Sequence, residues 1–246
     1  MFLRKVFTVL AAVATTSFAP VASAASMPKI DQERLVRVEG EVRGNALEAG
    51  NQIAALSETK GDIWLIINSP GGSVTTGLFT VSAMDLARAR GRKINCVVPG
   101  LAASMAFHML THCNERYVLP KTLLLWHPVR AGVGGALTPA QARLLAEDLE
   151  RVEKSLIDDI FTQLGISKEV FMYHYNAETL FLATELDRVA PGFLTIVDDI
   201  PGVIELFHFE RGLFGMRGNS TGTCNIHDPV SAPFDIRFEM NVPLSK

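Results

Sequence analysis

The stretch Ile63-Trp64-Leu65-Ile66-Ile67-Asn68-Ser69-Pro70-Gly71-Gly72 decides how this chain is read. Its first five residues form a continuous apolar run, which predicts a strand buried on both faces of a sheet. Pro70-Gly71-Gly72 breaks the run. A helix is expected from about Thr76 to Ala89. It is followed by a strand over Ile94 to Val98, a turn at Pro99-Gly100 and a helical stretch through Ala103 to Leu110. Upstream, Leu35 to Gly40 alternates like a strand, and Ala46 to Leu56 carries apolar residues at helical spacing. Strands alternating with helices predict βαβ units, right-handed crossovers and a mostly parallel sheet, hence an α/β fold.

Further along, Tyr117 to Leu119 and Leu123 to Trp126 read as short strands, and Gly132 to Gly135 as a loosely constrained loop. Thr138-Pro139-Ala140-Gln141 opens the longest helix: Thr138 can cap, Pro139 suits the first helical position and Gln141 completes a capping box. Leu145, Leu149, Val152, Leu156 and Ile160 continue an apolar stripe along it, fit for a core or a subunit interface, and Gly165 ends it. Helices over Lys168 to about Tyr175 and Ala183 to Val189 precede a strand over Phe193 to Val197.

The 246 residues carry 23 basic and 26 acidic groups, and 48% of them are hydrophobic. Such a chain is globular, fills one large domain with at most a small appendage, and lacks the basic excess that phosphate neutralisation requires, so no nucleic-acid partner is expected. Residues 1–24 have the layout of a signal peptide: Arg4 and Lys5 in front, an apolar stretch over Val6 to Ala14 too short to span a bilayer, and Ala22-Ser23-Ala24 as a cleavage signal. Cleavage after Ala24 removes two basic groups and no acid, taking the net charge from -3 to -5. Export to a bacterial periplasm or beyond is the expectation. The main domain then covers 25–200, with an irregular or short-β extension over 201–246. Cys96, Cys113 and Cys224 form no C-x-x-C pair. An oxidising compartment permits one disulfide among them, and for Cys96 burial as a small hydrophobe is the favoured reading.

Two loops carry the chemistry. Ser69-Pro70-Gly71-Gly72 and Gly100-Leu101-Ala102-Ala103-Ser104-Met105 follow neighbouring parallel strands, at the carboxyl ends where open α/β sheets hold ligands. Glycines let the first loop aim backbone N–H groups at a substrate oxygen. The second puts the Ser104 hydroxyl at a helix N-terminus, where free amides and the helix dipole favour developing negative charge. His127, in Leu123-Leu124-Leu125-Trp126-His127-Pro128, ends a third apolar strand and is the candidate base for Ser104.

These residues resemble the Clp-type serine peptidases, the proteolytic subunits of the Clp protease. The resemblance runs from about Val36 to Val197 and is carried by Ile67 to Gly72, Gly100 to Met105 and His127-Pro128. It implies a Clp/crotonase-like fold of stacked ββα units, with Ser104 as nucleophile, His127 as general base, and the amides of Gly72 and Met105 as oxyanion donors. It also implies polypeptide substrates, a homo-oligomer and a handle between stacked rings made by the helix that opens at Thr138. One position departs from the family: where its triad aspartate precedes a Phe-Leu pair, here Phe181-Leu182, the residue is Thr179. Glu178 and Asn176 are near enough in sequence to substitute, since the third member orients the imidazole and stabilises its cation.

Two other motifs are set aside. Gly218-Asn219-Ser220-Thr221-Gly222 matches a nucleophile elbow letter for letter, yet no buried strand precedes it and no helix follows, so it reads as a surface turn. His108 and His112 have the spacing of a zinc-peptidase helix, but Met109 stands where that motif has its glutamate. No P-loop or dinucleotide fingerprint occurs. Neither a metal nor an organic cofactor is therefore expected. The sequence reads as an exported serine endopeptidase working through an acyl-enzyme, and export argues against an ATP-driven unfoldase partner. The rivals are a catalytically impaired binding or assembly module and, less favoured, a crotonase-like binder of acyl thioesters.

Overall fold

A computed structural model describes residues 27–201. The expected leader, most of the expected C-terminal extension, the Gly218 to Gly222 motif and Cys224 lie outside the described residues. Ile63–Asn68 forms β2, and its neighbours in the sheet explain its composition. β1 (Leu35–Glu39) and β3 (Ile94–Val98) flank it in parallel, with Val38 opposite Ile67 and Cys96 opposite Leu65. β5 (Glu115–Val118) and β8 (Thr195–Ile196) complete a five-stranded, all-parallel sheet ordered β1-β2-β3-β5-β8.

Both faces of β2 are covered, as the apolar run predicts. Ile63, Leu65 and Ile67 join the main core under the helices, whereas Trp64 and Ile66 join a smaller cluster with Ile30, Val97, Tyr117 and Ile200 on the opposite face. Each fully buried aliphatic side chain of this kind contributes roughly 1.5–3 kcal/mol. A charge placed on β2 would therefore open two cores at once.

α1 (Gly44–Ser57) and α2 (Val74–Ala89) pack against each other on the main-core side. α2 starts at Ser73, whose side chain accepts from the Thr76 N–H at 3.3 Å, satisfying one of the free amides of its first turn. Beyond β3 the chain differs from the sequence expectation. Leu101–Ala103 is a strand, β4, and the helix α3 runs only over Met105–Thr111. Leu-Ala-Ala carries no periodicity that separates a strand from a helix start, so neighbours decide: Ser69 N–H donates to Leu101 O at 2.8 Å, and Ala103 N–H donates to Ser69 O at 3.1 Å. β4 pairs in parallel with β6 (Leu123–Leu125), which pairs antiparallel with β7 (Phe181–Leu182) in a second, three-stranded sheet.

α4 (Pro139–Leu164) has the expected capping box, and Gly165 closes it with φ +65°, a left-handed conformation that glycine adopts freely. Its apolar stripe is only partly used: Leu156, Ile160 and Leu164 are buried, whereas Leu145, Leu149 and Val152 are half-buried and Leu144 is 60% exposed. α5 (Lys168–Asn176) and α6 (Ala183–Val189) follow. Cys96 is buried as expected, but in a disulfide with Cys113 rather than as a thiol. The two Cα atoms are 5.8 Å apart, within bonding reach, because Cys113 leads into β5, which pairs with β3, and the adjoining Asn114 N–H donates to Ile94 O at 2.7 Å.

Candidate active site

Ser104 sits between β4 and α3 with φ 56° and ψ -125°, a positive φ that a residue with a Cβ rarely adopts and that typically costs about 1–3 kcal/mol. Its backbone is held on both sides. The Ser104 N–H donates to Leu125 O at 2.8 Å, extending the β4–β6 ladder, while Ser104 O accepts from His108 N–H at 3.1 Å in the first turn of α3. The side chain makes no capping bond to that helix, so the hydroxyl is not spent on the role a serine at a helix start usually fills.

The glycine loop comes up against this residue. A Cβ on Gly71, whose φ is +96°, would fall 2.5 Å from Ser104 Cβ and 2.7 Å from Ala103 O. Only glycine lets the two loops meet at this distance. Val42 pins the next step: its N–H donates to Gly71 O at 2.7 Å, and its carbonyl accepts from Ser73 N–H at 2.8 Å. In such a parallel bridge the central residue, Gly72, turns its own N–H away from the partner strand. The Gly72 amide therefore leaves the loop on the edge that β1 and its continuation do not cover.

His127 lies two residues past β6, after a well-anchored Trp126. The indole is 1% exposed and stacks on Phe107 and Phe181 at centroid distances of 5.1 Å, and on Phe171 at 5.8 Å. His127 Nδ1 is 2.7 Å from the Pro128 carbonyl oxygen. A carbonyl only accepts, so Nδ1 carries the proton and Nε2 keeps its lone pair. Nε2 is buried and has no hydrogen-bond partner among the described residues, and thus no bond to Ser104 in this conformation. Burial lowers the imidazole pKa; the Pro128 bond and Glu178 raise it, and Arg130 lowers it. The net shift is downward, which favours the neutral ring, the form that can accept a proton.

Ser104, Met105 and His127 line one cavity, with Val74, Trp126, Leu156 and Ile160 supplying apolar walls. Of the four residues singled out in the sequence, the structure brings these three to that cavity; Gly72 does not line it and follows Gly71, which packs against Ser104. Neither acid substitute faces the imidazole as a triad member. Glu178 is ion-paired with Arg130, and Thr179 Oγ1 lies 3.1 Å from His174 Nδ1. Asn176 ends α5 and enters no bond to His127. The group that fixes the ring is the Pro128 carbonyl, which a reading of side chains does not reveal. Behind the wall, Glu153 Oε1 accepts from Tyr175 Oη at 2.5 Å and from Val129 N–H at 3.1 Å, tying α4 to α5 and to the loop after His127.

A family model described as Clp protease matches residues 21–193. The chain is 31% identical over 147 residues to ATP-dependent Clp protease proteolytic subunit 1 of Streptomyces avermitilis, an alignment covering 59% of this chain and 65% of that protein. It is 28% identical over 170 residues to the ATP-dependent Clp protease proteolytic subunit of Streptococcus gordonii, covering 66% of this chain and 83% of the relative. With subunit 2 of Thermobifida fusca it shares 31% identity over 159 residues, 64% of this chain and 71% of the other.

Proposed function

The chain belongs to the Clp protease family, and from that premise we propose that it is an exported serine endopeptidase that cleaves accessible polypeptide segments through an acyl-enzyme. Ser104 Oγ attacks the scissile carbonyl as His127 Nε2 takes its proton. The Gly72 and Met105 amides hold the oxyanion, and the imidazolium returns the proton to the leaving amine. Water then repeats the sequence on the ester. The observation that carries this reading is that one cavity holds a strained, uncapped Ser104 and a His127 whose Nε2 has no partner among the described residues.

Export is supported by the layout of residues 1–24 and by the Cys96–Cys113 disulfide inside the core, a bond that oxidising compartments favour. Outside the cytoplasm no ATP drives a partner, so the enzyme acts without an unfoldase on chains already unfolded or short. Assembly into a homo-oligomer is part of the proposal, with the uncovered first half of α4 as the contact. The test is hydrolysis of an unfolded protein substrate by the chain purified from the periplasm of an expression host. Cleavage slowed about 10²-fold in Ser104→Ala is expected, and equal cleavage by that variant contradicts the mechanism.

One observation favours a second reading, a catalytically impaired binding or assembly module: His127 Nδ1 meets a backbone carbonyl and no carboxylate. Thr179→Asp separates the two. Activity that appears only in the substituted chain marks the natural one as a pseudoenzyme.

A further inference from the structure

α3 carries a pair of imidazoles besides His127, and one of them, His108, lines the same cavity as Ser104 and His127. His108 and His112 are one turn apart, buried, with ring centroids at 4.9 Å and planes at 80°. Among the described residues, each has one buried ring nitrogen with no hydrogen-bond partner: Nδ1 of His108 and Nε2 of His112. An unpaired buried polar atom costs about 1–3 kcal/mol, so the open Nε2 of His112 calls for a physical reason. The other two nitrogens meet carboxylates from separate helices. His108 Nε2 is 3.3 Å from Asp159 Oδ2 on α4, and His112 Nδ1 is 3.1 Å from Asp85 Oδ1 on α2. Arg88 Nη2 approaches His112 Nδ1 at 3.4 Å, but it can only donate and already pairs with Asp85 Oδ1 at 2.5 Å. Asp85 therefore accepts the His112 Nδ1 proton, and the Nε2 lone pair is left open.

We propose that His108, His112 and Asp159 bind one divalent transition-metal ion of the zinc class, with Asp85 as the outer carboxylate that orients His112. One ligand atom from each of the three residues lies within 4.8 Å of the others. Bonds of about 2.0–2.2 Å in a tetrahedral site need ligand atoms some 3.3–3.6 Å apart, so closure by at most about 1.2–1.5 Å suffices. Asp159, with a side chain 46% exposed, has room to supply it. Imidazole and carboxylate together suit zinc, and a carboxylate on the far nitrogen is the support a metal-bound imidazole takes.

The sequence reading set this pair aside because Met109 replaces a glutamate. That glutamate is the general base of zinc peptidases and not a ligand, so its loss removes their reaction and leaves metal binding open. The third ligand comes instead from 51 residues downstream on another helix. A bound ion ties α3, whose cap is Ser104, to α4, whose Leu156 and Ile160 wall the same cavity. It fixes the wall of the site and takes no part in the serine chemistry.

The test is calorimetric titration of the chelator-stripped chain with zinc, alongside the visible spectrum of its cobalt(II) form. One zinc per chain and the absorption of a four-coordinate nitrogen–oxygen cobalt site are expected. His112→Gln and Asp159→Asn should each weaken zinc binding at least about 10-fold, and Asp85→Asn by about 10- to 100-fold. Asp159 is partly exposed, so its variant keeps the fold, checked by an unchanged melting temperature in chelator. Ser104→Ala should bind as wild type does. No stoichiometric zinc, wild-type affinity in both ligand variants, or binding lost in His127→Ala instead would overturn the proposal.

Discussion

His127 and His112 are both fixed at Nδ1 and open at a buried Nε2, but different groups do the fixing. His127 bonds the neutral Pro128 carbonyl at 2.7 Å, and His112 bonds the Asp85 carboxylate at 3.1 Å. Either acceptor selects the same tautomer. Only the carboxylate also stabilises an imidazolium as it forms. The fold thus has two imidazole–carboxylate pairs on α3, and among the described residues none on the His127 ring. Orientation and charge stabilisation, which a Ser-His-Asp triad delivers through one residue, are here separable.

Placing an acid at Thr179 tests that separation most strongly. On the proposed mechanism Thr179→Asp raises the hydrolysis rate by up to about 10⁴-fold, the loss associated with a triad lacking its acid. An unchanged rate means that the Pro128 carbonyl already does all the orienting the reaction needs.

Reduction of Cys96–Cys113 probes the His112 end of α3, since Cys113 directly follows that histidine. With a sequence separation of 17, breaking the bond lowers unfolding stability by about 3 kcal/mol, read from denaturant midpoints with and without reductant. At the other end, Ser104→Ala reduces turnover by only about 10²-fold. A whole triad is worth near 10⁶ and its acid alone near 10⁴, so a chain without the acid has about that much left to lose. Kinetics on a peptide substrate measure it, and a 10⁶-fold loss would mean that a carboxylate acts after all.

Gly71→Ala strikes the same end through sterics: its Cβ meets Ser104 Cβ at 2.5 Å at a φ of +96°, and about 2 kcal/mol or more of stability is lost. Gly91→Ala, with φ +77° and nothing within 4 Å, pays the backbone strain alone and serves as the control.

The smallest effect is on pH. The His127 pKa is lowered, chiefly by burial, and the base must be neutral to accept a proton. kcat/KM therefore falls as pH drops through a midpoint below the ordinary histidine value of about 6.5 and is flat above it. Thr179→Asp should move that midpoint upward, because a carboxylate favours the cation.

Much of the fold was legible because its signals are local. The Ile63–Ile67 run declared a strand buried on two faces, Pro70-Gly71-Gly72 its end, and Thr138 to Gln141 the start of α4. β4 was not legible, since three small apolar residues take their state from Ser69 and β6 rather than from their own pattern. The same holds for the Cys96–Cys113 pairing, which depends on β3 lying beside β5, the strand that Cys113 leads into. At the candidate site the side chains could be picked out and the backbone could not: Ser104 and His127 carry residue signals, whereas the Pro128 carbonyl carries none. Asp159 was hidden for another reason. Nothing along the chain announces that a carboxylate on the long helix will meet an imidazole 51 positions earlier.

The central claim is that Ser104 is a nucleophile activated by His127 Nε2. Mass spectrometry of the chain after exposure to a fluorophosphonate probe tests it most directly. The account predicts a single phosphonyl adduct on the peptide bearing Ser104, slowed strongly in His127→Ala. An unmodified Ser104 peptide, or an adduct formed at the same rate without His127, would contradict it.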